Sequence, residues 1–309
     1  MKKTTFFFAF VLCFVIARAQ RVGSSPEYIK AITSEWKGER FPDGRPKVSD
    51  NLLARLKNIS IEEAWGVLRN KGYRNQFEGN WIVINPDSAM TGRVVTAQYM
   101  PLRPDLQKYI KDQGVAEKRS PKGGTNSWPI DVLVEGDVYV ADSYGKIEDG
   151  TLIGDNLGNS IYAKSKRGVI FYGSVRDQEG ISEIKGFNGW IKGQDPSYID
   201  QMMLTSINAP IRIGRAIVLP GDVVLAKKYG TIFIPAYLVE ELVLTSEFTE
   251  LRDQFGHQRL REGKYTPGEI DSSWSEEIKK DFLNWVNNYP GKLPMKKEDL
   301  DNYMKERNY

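Results

Sequence analysis

The sequence has little of the two residues that most often carry covalent or zinc chemistry, with one cysteine and one histidine in 309 residues. Cys13 lies in an apolar segment near the N-terminus, and His257 stands in a polar stretch. A disulfide framework and a zinc site built from several histidines or cysteines are therefore excluded. A Ser-His-Asp triad would depend on His257 alone, and no partner nucleophile is evident around it. We expect His257 to be a solvated residue near a helix end.

Long hydrophobic runs are absent as well, except at the N-terminus. Lys2 and Lys3 precede the apolar run Phe6–Ala17, and Ala17-Arg18-Ala19 has the small-x-small pattern of a cleavage site. A run of this length is too short to cross a bilayer comfortably, because a membrane-spanning helix needs about 20 residues. The pattern predicts a signal peptide over residues 1–19, export to the periplasm or the extracellular space, and no membrane anchor after cleavage.

An excess of one charge is also missing. The chain has 43 Lys and Arg residues against 40 Asp and Glu residues, and cleavage after Ala19 would remove three basic residues and no acidic one. The mature protein would be formally neutral, so nucleic-acid binding loses its simplest electrostatic basis. Any chemistry must come from carboxylates, arginine, lysine, backbone amides and a hard metal ion.

The residues that are present predict an α/β domain over 51–250, between an N-terminal extension (20–50) and a helical C-terminal extension (251–309). Helices are expected near 26–36, 51–58, 60–72, 157–166, 180–185, after Pro235, 272–287 and 300–304. Strands are expected over 92–100, 131–141, 168–172, 189–192, 211–218, 223–225 and 231–234. A turn at Gly136-Asp137 is expected inside the second of these, and a further strand is expected to end at Ile153. The stretch 103–127 is predicted to be an irregular insertion with a helix near 106–113.

Two segments carry the residues best suited to chemistry. The first, Gly154-Asp155-Asn156-Leu157, opens a predicted helix, where free backbone N–H groups and the helix dipole favour a substrate carboxylate. The second, Arg176-Asp177, follows a buried strand. Arginine can grip a carboxylate or enolate oxygen through two parallel hydrogen bonds, and aspartate can hold a hard divalent cation.

Each segment also has a simpler interpretation. Asp155 or Asn156 alone is most often the N-cap of a helix, and Arg176-Asp177 alone is most often a surface turn with a weak ion pair. A lysine that forms a Schiff base would be another route to the same chemistry. The lysines near these segments lie in polar stretches, and we expect ordinary surface roles for Lys164, Lys166 and Lys192.

The spacing of the two segments resembles a known family. Asp155, twenty further residues and Arg176-Asp177 match the D-x20-R-D signature of the RraA-like family. That family includes regulators of ribonuclease activity and class II aldolases that cleave 4-hydroxy-4-methyl-2-oxoglutarate and decarboxylate oxaloacetate. Other segments resemble it in the same order, namely Gly92–Thr96, Glu135–Asp142, Pro220–Val224 and Gly230–Pro235. The resemblance covers about residues 60–244.

The resemblance implies a fold, an assembly and an activity. The fold is a compact α/β/α sandwich of the swivelling type, assembled as a homotrimer or hexamer with sites at subunit interfaces. Gly154 to Leu157 would cradle a pyruvyl carboxylate and Arg176 would bind the same unit. Asp177 would hold Mg2+ or Mn2+, and Asp155 would steer a water on that metal for proton transfer. The implied protein is a metal-dependent lyase that cleaves a 2-oxo acid through a pyruvate enolate.

Some features depart from the family pattern. Ala226, Lys227 and Lys228 stand where the family commonly has an acidic residue, the 103–127 insertion is long, and the tail past Gly263 has no counterpart in compact members. Two alternatives stay open beside the lyase. One is a non-catalytic regulator that binds another protein on the same scaffold, and the other is the same pocket acting on a sugar-derived acid.

Overall fold

The computed structural model describes residues 21–291 and 293–307. The predicted signal peptide, residues 1–19, lies outside the described residues, so its cleavage stays a prediction. Within the described residues, no helix has the length and apolar character needed to cross a membrane.

A mixed sheet of nine strands forms the centre of the described structure. Its strands are β1 (Phe77–Glu78), β2 (Ile82–Val83), β3 (Met90–Pro101), β4 (Asp137–Asp142), β5 (Val169–Val175), β6 (Gly189–Gln194), β7 (Met202–Ile207), β10 (Val223–Lys227) and β11 (Gly230–Ile234). A separate antiparallel hairpin pairs β8 (Ile211–Ile213) with β9 (Ala216–Val218). The order is β1-β11-β10-β3-β4-β5-β6-β2, with β7 also paired to β3. Strands β3 to β6 run parallel, and the outer pairs are antiparallel.

Helices lie before, between and after these strands. They are α1 (Pro26–Ile32), α2 (Asp50–Leu56), α3 (Ile61–Asn70), α4 (Pro104–Ala116), α5 (Trp128–Asp131), α6 (Asp155–Ser165), α7 (Gln178–Ser182), α8 (Val239–Arg261), α9 (Pro267–Ile270), α10 (Glu276–Asn287) and α11 (Lys297–Glu306). The capping box predicted for α3 is confirmed. The Ser60 hydroxyl accepts a hydrogen bond from the Glu63 amide at 3.1 Å, and the Glu63 carboxylate accepts one from the Ser60 amide at 2.8 Å.

Alternation along the central strands divides the core between the two faces of the sheet. On β3, Val95, Ala97 and Tyr99 join a cluster that includes residues of α6 and α7. Val94 faces the opposite side, where the β8–β9 hairpin supplies Ile213 and its apolar neighbours. The parallel strands are therefore buried on both faces, as sheets of this kind require. The α/β class predicted from the sequence is confirmed.

Several predicted elements were wrong in extent. The turn expected at Gly136-Asp137 is present, but only the part of 131–141 from Asp137 onward is a strand, because α5 extends to Asp131. The strand expected over 211–218 is a hairpin, since Gly214 adopts a positive φ of 57° and reverses the chain. No strand ends at Ile153; only Thr151 forms an isolated bridge, to Ser174. Strand β7 was not predicted at all.

The extensions are packed against this domain in different ways. Arg45 of the N-terminal extension forms an ion pair with the buried Asp137 at the start of β4, with 3.0 Å between its Nη2 atom and the Asp137 Oδ2 atom. The 103–127 insertion is more regular than predicted, because α4 covers half of it. Helix α8 continues without a break past residue 250 and forms an aromatic cluster with α10 and α11. The domain boundaries stay predictions.

Candidate functional site

The two sequence segments meet at the carboxyl ends of the parallel strands β4 and β5. The loop after β4 runs alongside the end of β5, where the Leu152 amide donates to the Ser174 carbonyl and the Arg176 amide donates to the Ile153 carbonyl, each at 3.0 Å. Helix α6 then starts directly beside Arg176. Ligands of open α/β sheets bind at this edge, outside the carboxyl ends of the strands.

Gly154 is the N-cap of α6, and its missing side chain is what lets the segments approach. A Cβ atom at this position would overlap the Asp177 carboxylate and would lie 3.2 Å from the Arg176 Nε atom. Any larger residue would therefore push the arginine and the aspartate away from the helix start. The close approach explains why the sequence has glycine here.

The first turn of α6 contains backbone amides that can donate hydrogen bonds to a ligand. Gly154 provides no capping side chain, and the Asn156 amide donates to the Asp155 carboxylate at 2.7 Å. In the described part of the chain, the Asp155 and Leu157 amides donate no hydrogen bond to another protein group. The start of this eleven-residue helix therefore combines free N–H donors with the positive end of the dipole. A carboxylate fits these donors.

Arg176 and Asp177 form an open pair beside this helix start. Their side chains are 43% and 41% exposed, and the Arg176 Nε atom lies 3.6 Å from the nearer Asp177 oxygen. This distance leaves the guanidinium donors free for a ligand. Asp177 also has φ 54° and ψ 41°, a left-handed conformation that costs a non-glycine residue free energy. Strain of this kind concentrates at binding and catalytic sites.

Asp155, the first residue of α6, has its side chain next to α7. A Cβ atom added at Gly180 would lie 3.0 Å from the Asp155 Cβ and 3.2 Å from its Oδ2 atom. The second glycine thus lets the first turn of α7 approach this carboxylate, and Asp155, Arg176 and Asp177 share one cleft. The structure brings together every residue that the sequence selected for the site.

Two adjoining cavities make up the cleft, and Arg176 lines both. The smaller, of about 140 Å³, lies over the start of α6, and the larger, of about 470 Å³, lies over Asp177. Residues that the sequence did not select also line them, namely Asn126, Tyr198 and Ile199 in the first and Glu179, Gln194 and Asp195 in the second. No motif marks these positions. Asn126, for example, comes from the 103–127 insertion and donates to the Leu152 carbonyl at 2.7 Å.

A divalent cation at this site would depend on Asp177. In residues 21–291 and 293–307, no three His, Cys, Asp or Glu side chains are grouped to hold a metal ion. Mg2+, however, is often held by one or two carboxylates and completes its shell with water and substrate oxygens. The half-exposed Asp177 carboxylate, with Glu179 and Asp195 on the same cavity, fits such an open site and does not fit a closed metal cage.

The remaining candidates lie elsewhere. His257 is exposed on α8, outside both cavities. Lys227 and Lys228 lie at the β10–β11 turn, and Lys227 is close to Glu62 and Glu63 of α3. The expectation of an ordinary surface role for Lys192 was wrong. Its side chain is 16% exposed, and its ammonium donates to the Gly79 carbonyl at 2.8 Å and lies 4.0 Å from the centre of the Trp81 ring.

Fold and cleft together define an α/β protein in which a helix start with free N–H donors lies beside an open arginine and aspartate. The family model described as Aldolase/RraA matches residues 46–233. This match spans more than half of the chain, and the chain therefore belongs to the RraA-like family.

Individual relatives are more distant. Protein DlpA of Legionella pneumophila is 26% identical over 197 residues, which are 62% of this chain and 29% of DlpA. The chain thus spans less than a third of the length of this curated relative. Among solved structures, Streptomyces coelicolor RraAS2, described as an unusual member of the RNase ES inhibitor RraA protein family, superimposes with a TM-score of 0.59. It is 24% identical and covers 69% of this chain and 100% of its own. An uncharacterised Pseudomonas syringae protein has a TM-score of 0.57 and 18% identity, covering 75% of this chain and 98% of its own. These two likenesses show the fold.

Proposed function

We propose that this protein is a metal-dependent lyase that cleaves a 2-oxo acid through a pyruvate enolate. The observation that carries the proposal is the joint placement of the α6 start, Arg176 and Asp177 around Gly154. The RraA-like family includes both metal-dependent aldolases and non-catalytic regulators, and the cleft favours the first. An interaction surface alone would not require a strained aspartate and free helix-start amides at one point.

The carboxylate of the 2-oxo acid would bind at the start of α6. The Asp155 and Leu157 amides are the free donors there, and the smaller cavity lies directly above them. Arg176 lines the same cavity, and its planar guanidinium can bind two oxygens of the pyruvyl unit at once. These contacts would fix the orientation of the bond that breaks.

Cleavage breaks the bond between C3 and C4 of the substrate. The bond's electron pair moves into the pyruvyl unit and places negative charge on the ketone oxygen. With oxaloacetate the other half leaves as CO2. With a 4-hydroxy acid the 4-hydroxyl group would give its proton to the water near Asp155, and the other half would leave as a carbonyl compound. Arg176 would stabilise this developing charge, which is where fixed donors contribute most to rate. Protonation of the enolate carbon then yields pyruvate, and Asp155 would orient the water that takes part in this proton transfer.

The proposed cofactor is Mg2+ or Mn2+, held by Asp177. When bound, such a cation supplies a Lewis acid for the enolate oxygen. The open setting of Asp177 supports this assignment. Glu179 and Asp195 would raise the local negative charge that attracts the cation.

The test is the release of pyruvate from oxaloacetate and from 4-hydroxy-4-methyl-2-oxoglutarate by the purified protein. We expect activity with Mg2+, loss of activity with EDTA, and a fall of about 10²–10³-fold in kcat/KM for Arg176→Ala. The matched control is Arg103→Ala, because Arg103 also pairs with a nearby exposed aspartate but lies on α4's N-terminal side, away from the cleft. Turnover that survives both EDTA and Arg176→Ala would overturn the proposal. Absence of turnover in a folded, Mg2+-loaded protein would favour the regulator.

Assembly and location form the second part of the proposal. We propose a homotrimer or hexamer, exported after removal of residues 1–19. Light scattering on the purified protein would give the oligomer mass, and N-terminal sequencing of protein from the cell envelope would locate the cleavage. A monomer in solution, or an uncleaved N-terminus in the cytoplasm, would contradict these proposals.

A further inference from the structure

A third cavity, of about 190 Å³, lies between the N-terminal extension and the sheet. The end of α1, the segment 33–36 and Pro46 form one wall. The β9–β10 connection and residues 235–237 form the other. It shares no lining residue with the two cavities of the cleft. A ligand in this cavity would therefore bind apart from the proposed lyase site, and its binding does not depend on lyase activity.

Acidic groups and no basic ones line this cavity. Asp222 is 4% exposed, and in the described residues its carboxyl receives one hydrogen bond, from the Leu219 amide at 2.8 Å. Glu35 lies at the exposed rim. The lining contains no lysine, arginine or histidine. Burial raises the pKa of Asp222 to about 7, so its charge lacks the compensation that a bound cation would provide.

Three aromatic side chains complete the lining. They are Trp36, Tyr73 and Tyr237, and the two tyrosine hydroxyls lie 2.8 Å apart in a mutual hydrogen bond. This bond, with burial and the charges of Asp222 and Glu35, raises the pKa of Tyr73 to about 12. Asp222 and Glu35 are therefore both close enough to Tyr73 to influence its pKa. Aromatic faces beside carboxylates are the usual surroundings of organic ammonium ions in proteins.

Arg40 lies near the cavity but is not among its lining residues, so it does not place a positive charge inside it. The Arg40 guanidinium lies behind the wall, where it donates to the Thr33 carbonyl at 2.8 Å, the Trp36 carbonyl at 3.0 Å and the Gly44 carbonyl at 2.8 Å. These bonds fix the segment that covers the cavity and use the donors of Arg40. Arg40 thus stabilises the cavity wall but does not line the cavity.

We propose that this cavity binds a small organic ammonium ion with an apolar body. The cation would lie against Trp36, Tyr73 and Tyr237, with the Asp222 carboxylate as its buried counter-charge. The apolar body would fill the space lined by Ile32, Leu219 and Pro235. Because the wall belongs to the N-terminal extension, the bound ion would also hold this extension on the domain.

Calorimetric titration with choline at pH 8.5 tests the proposal on the full mature chain. At that pH the Asp222 carboxyl is ionised. The neutral analogue 3,3-dimethylbutan-1-ol has nearly the same shape as choline and no charge, so it separates cation binding from simple filling of the cavity. We expect choline to bind at least about tenfold more tightly than the analogue.

Two variants assign the site. Asp222→Asn keeps the acceptor for the Leu219 amide and removes the charge, and Tyr237→Leu removes a half-exposed ring; each should weaken choline binding by about tenfold or more. Asp105→Asn, an exposed acid on α4, should leave binding unchanged. Equal binding of choline and its analogue, choline binding that persists in Asp222→Asn, or no choline binding at all would each overturn the proposal.

Discussion

Two arginine–aspartate pairs in this molecule have the same chemistry and opposite settings. Arg45 and Asp137 are 1% and 0% exposed and share two hydrogen bonds, of 3.1 and 3.0 Å. Arg176 and Asp177 are both about two-fifths exposed and 3.6 Å apart. The first pair is also bonded to the Asp43 carboxylate and the Val134 amide, so its charges are compensated. The second pair leaves donors and acceptors directed at a cleft.

The two pairs differ in what burial does to their charges. A buried pair has lost its hydration, so each partner depends on the other. An open pair keeps its hydration and contributes little to stability, which leaves its charges free for a ligand. We therefore expect changes in the buried pair to alter folding and changes in the open pair to alter activity.

The largest effect is expected for Arg45→Met. Removal of the guanidinium leaves Asp137 buried with only Arg93, at 3.8 Å, as a nearby charge, and should lower the free energy of unfolding by about 3–5 kcal/mol. Urea denaturation measures the loss. The double variant Arg45→Met with Asp137→Leu should recover part of it, because no charge is then left uncompensated. A single variant as stable as the wild type would show that the pair is not a folding determinant.

Asp222 is buried like Asp137, but in the described residues no arginine is paired with it. Its folded pKa of about 7 lies above the ordinary value of 3.8, so the folded state binds more protons between these pH values and stability falls as the pH rises through this window. Relative to wild type, Asp222→Asn should gain about 4 kcal/mol of stability between pH 4 and pH 8. Denaturation at a series of pH values measures this gain. A constant difference between the two proteins would contradict it.

The open pair gives the third prediction. Arg176→Ala should change the free energy of unfolding by less than about 0.5 kcal/mol, since its side chain is exposed, while pyruvate formation falls by about 10²–10³-fold. Thermal melts and steady-state kinetics on the same preparation measure the two quantities. If stability falls together with activity, the distinction between the pairs is lost.

The last prediction concerns the backbone conformation of Asp177. Glycine adopts the left-handed conformation without strain, and Asp177 makes no capping hydrogen bond, so Asp177→Gly should raise stability by about 1 kcal/mol. Activity should fall in the same variant. Asp177→Asn is the matched control, because asparagine tolerates the conformation and should leave stability unchanged. Lower stability in Asp177→Gly would show that the carboxylate contributes to the fold.

The sequence predicted the segments of strongest local pattern and the residues of the cleft. The capping box at Ser60, the strand containing Val94 and Val95 and the convergence of Gly154, Arg176 and Asp177 are all found in the structure. Their functional roles stay predictions. The fixed spacing was informative because a helix followed by a parallel strand, here α6 and β5, returns the chain to the edge of the sheet at which the helix begins.

Other parts could not be predicted because they depend on contacts distant in sequence. Strand β7 is held in the sheet by pairing with β3, about a hundred residues earlier in the chain. In the sequence, Arg45 is one polar residue among others in an extension, and only the structure shows that it pairs with Asp137. Asn126 and Tyr198 reach the cleft through loops whose course no local pattern fixes.

The central claim is that the open pair and the α6 start form one site for a pyruvyl unit and a divalent cation. A crystal structure of the protein grown with Mg2+ and oxalate, which resembles the pyruvate enolate, tests it most directly. We predict oxalate bound to the Asp155 and Leu157 amides and to Arg176, with Mg2+ between oxalate and Asp177. Oxalate and Mg2+ bound elsewhere, or a cleft that stays free of both, would contradict the account.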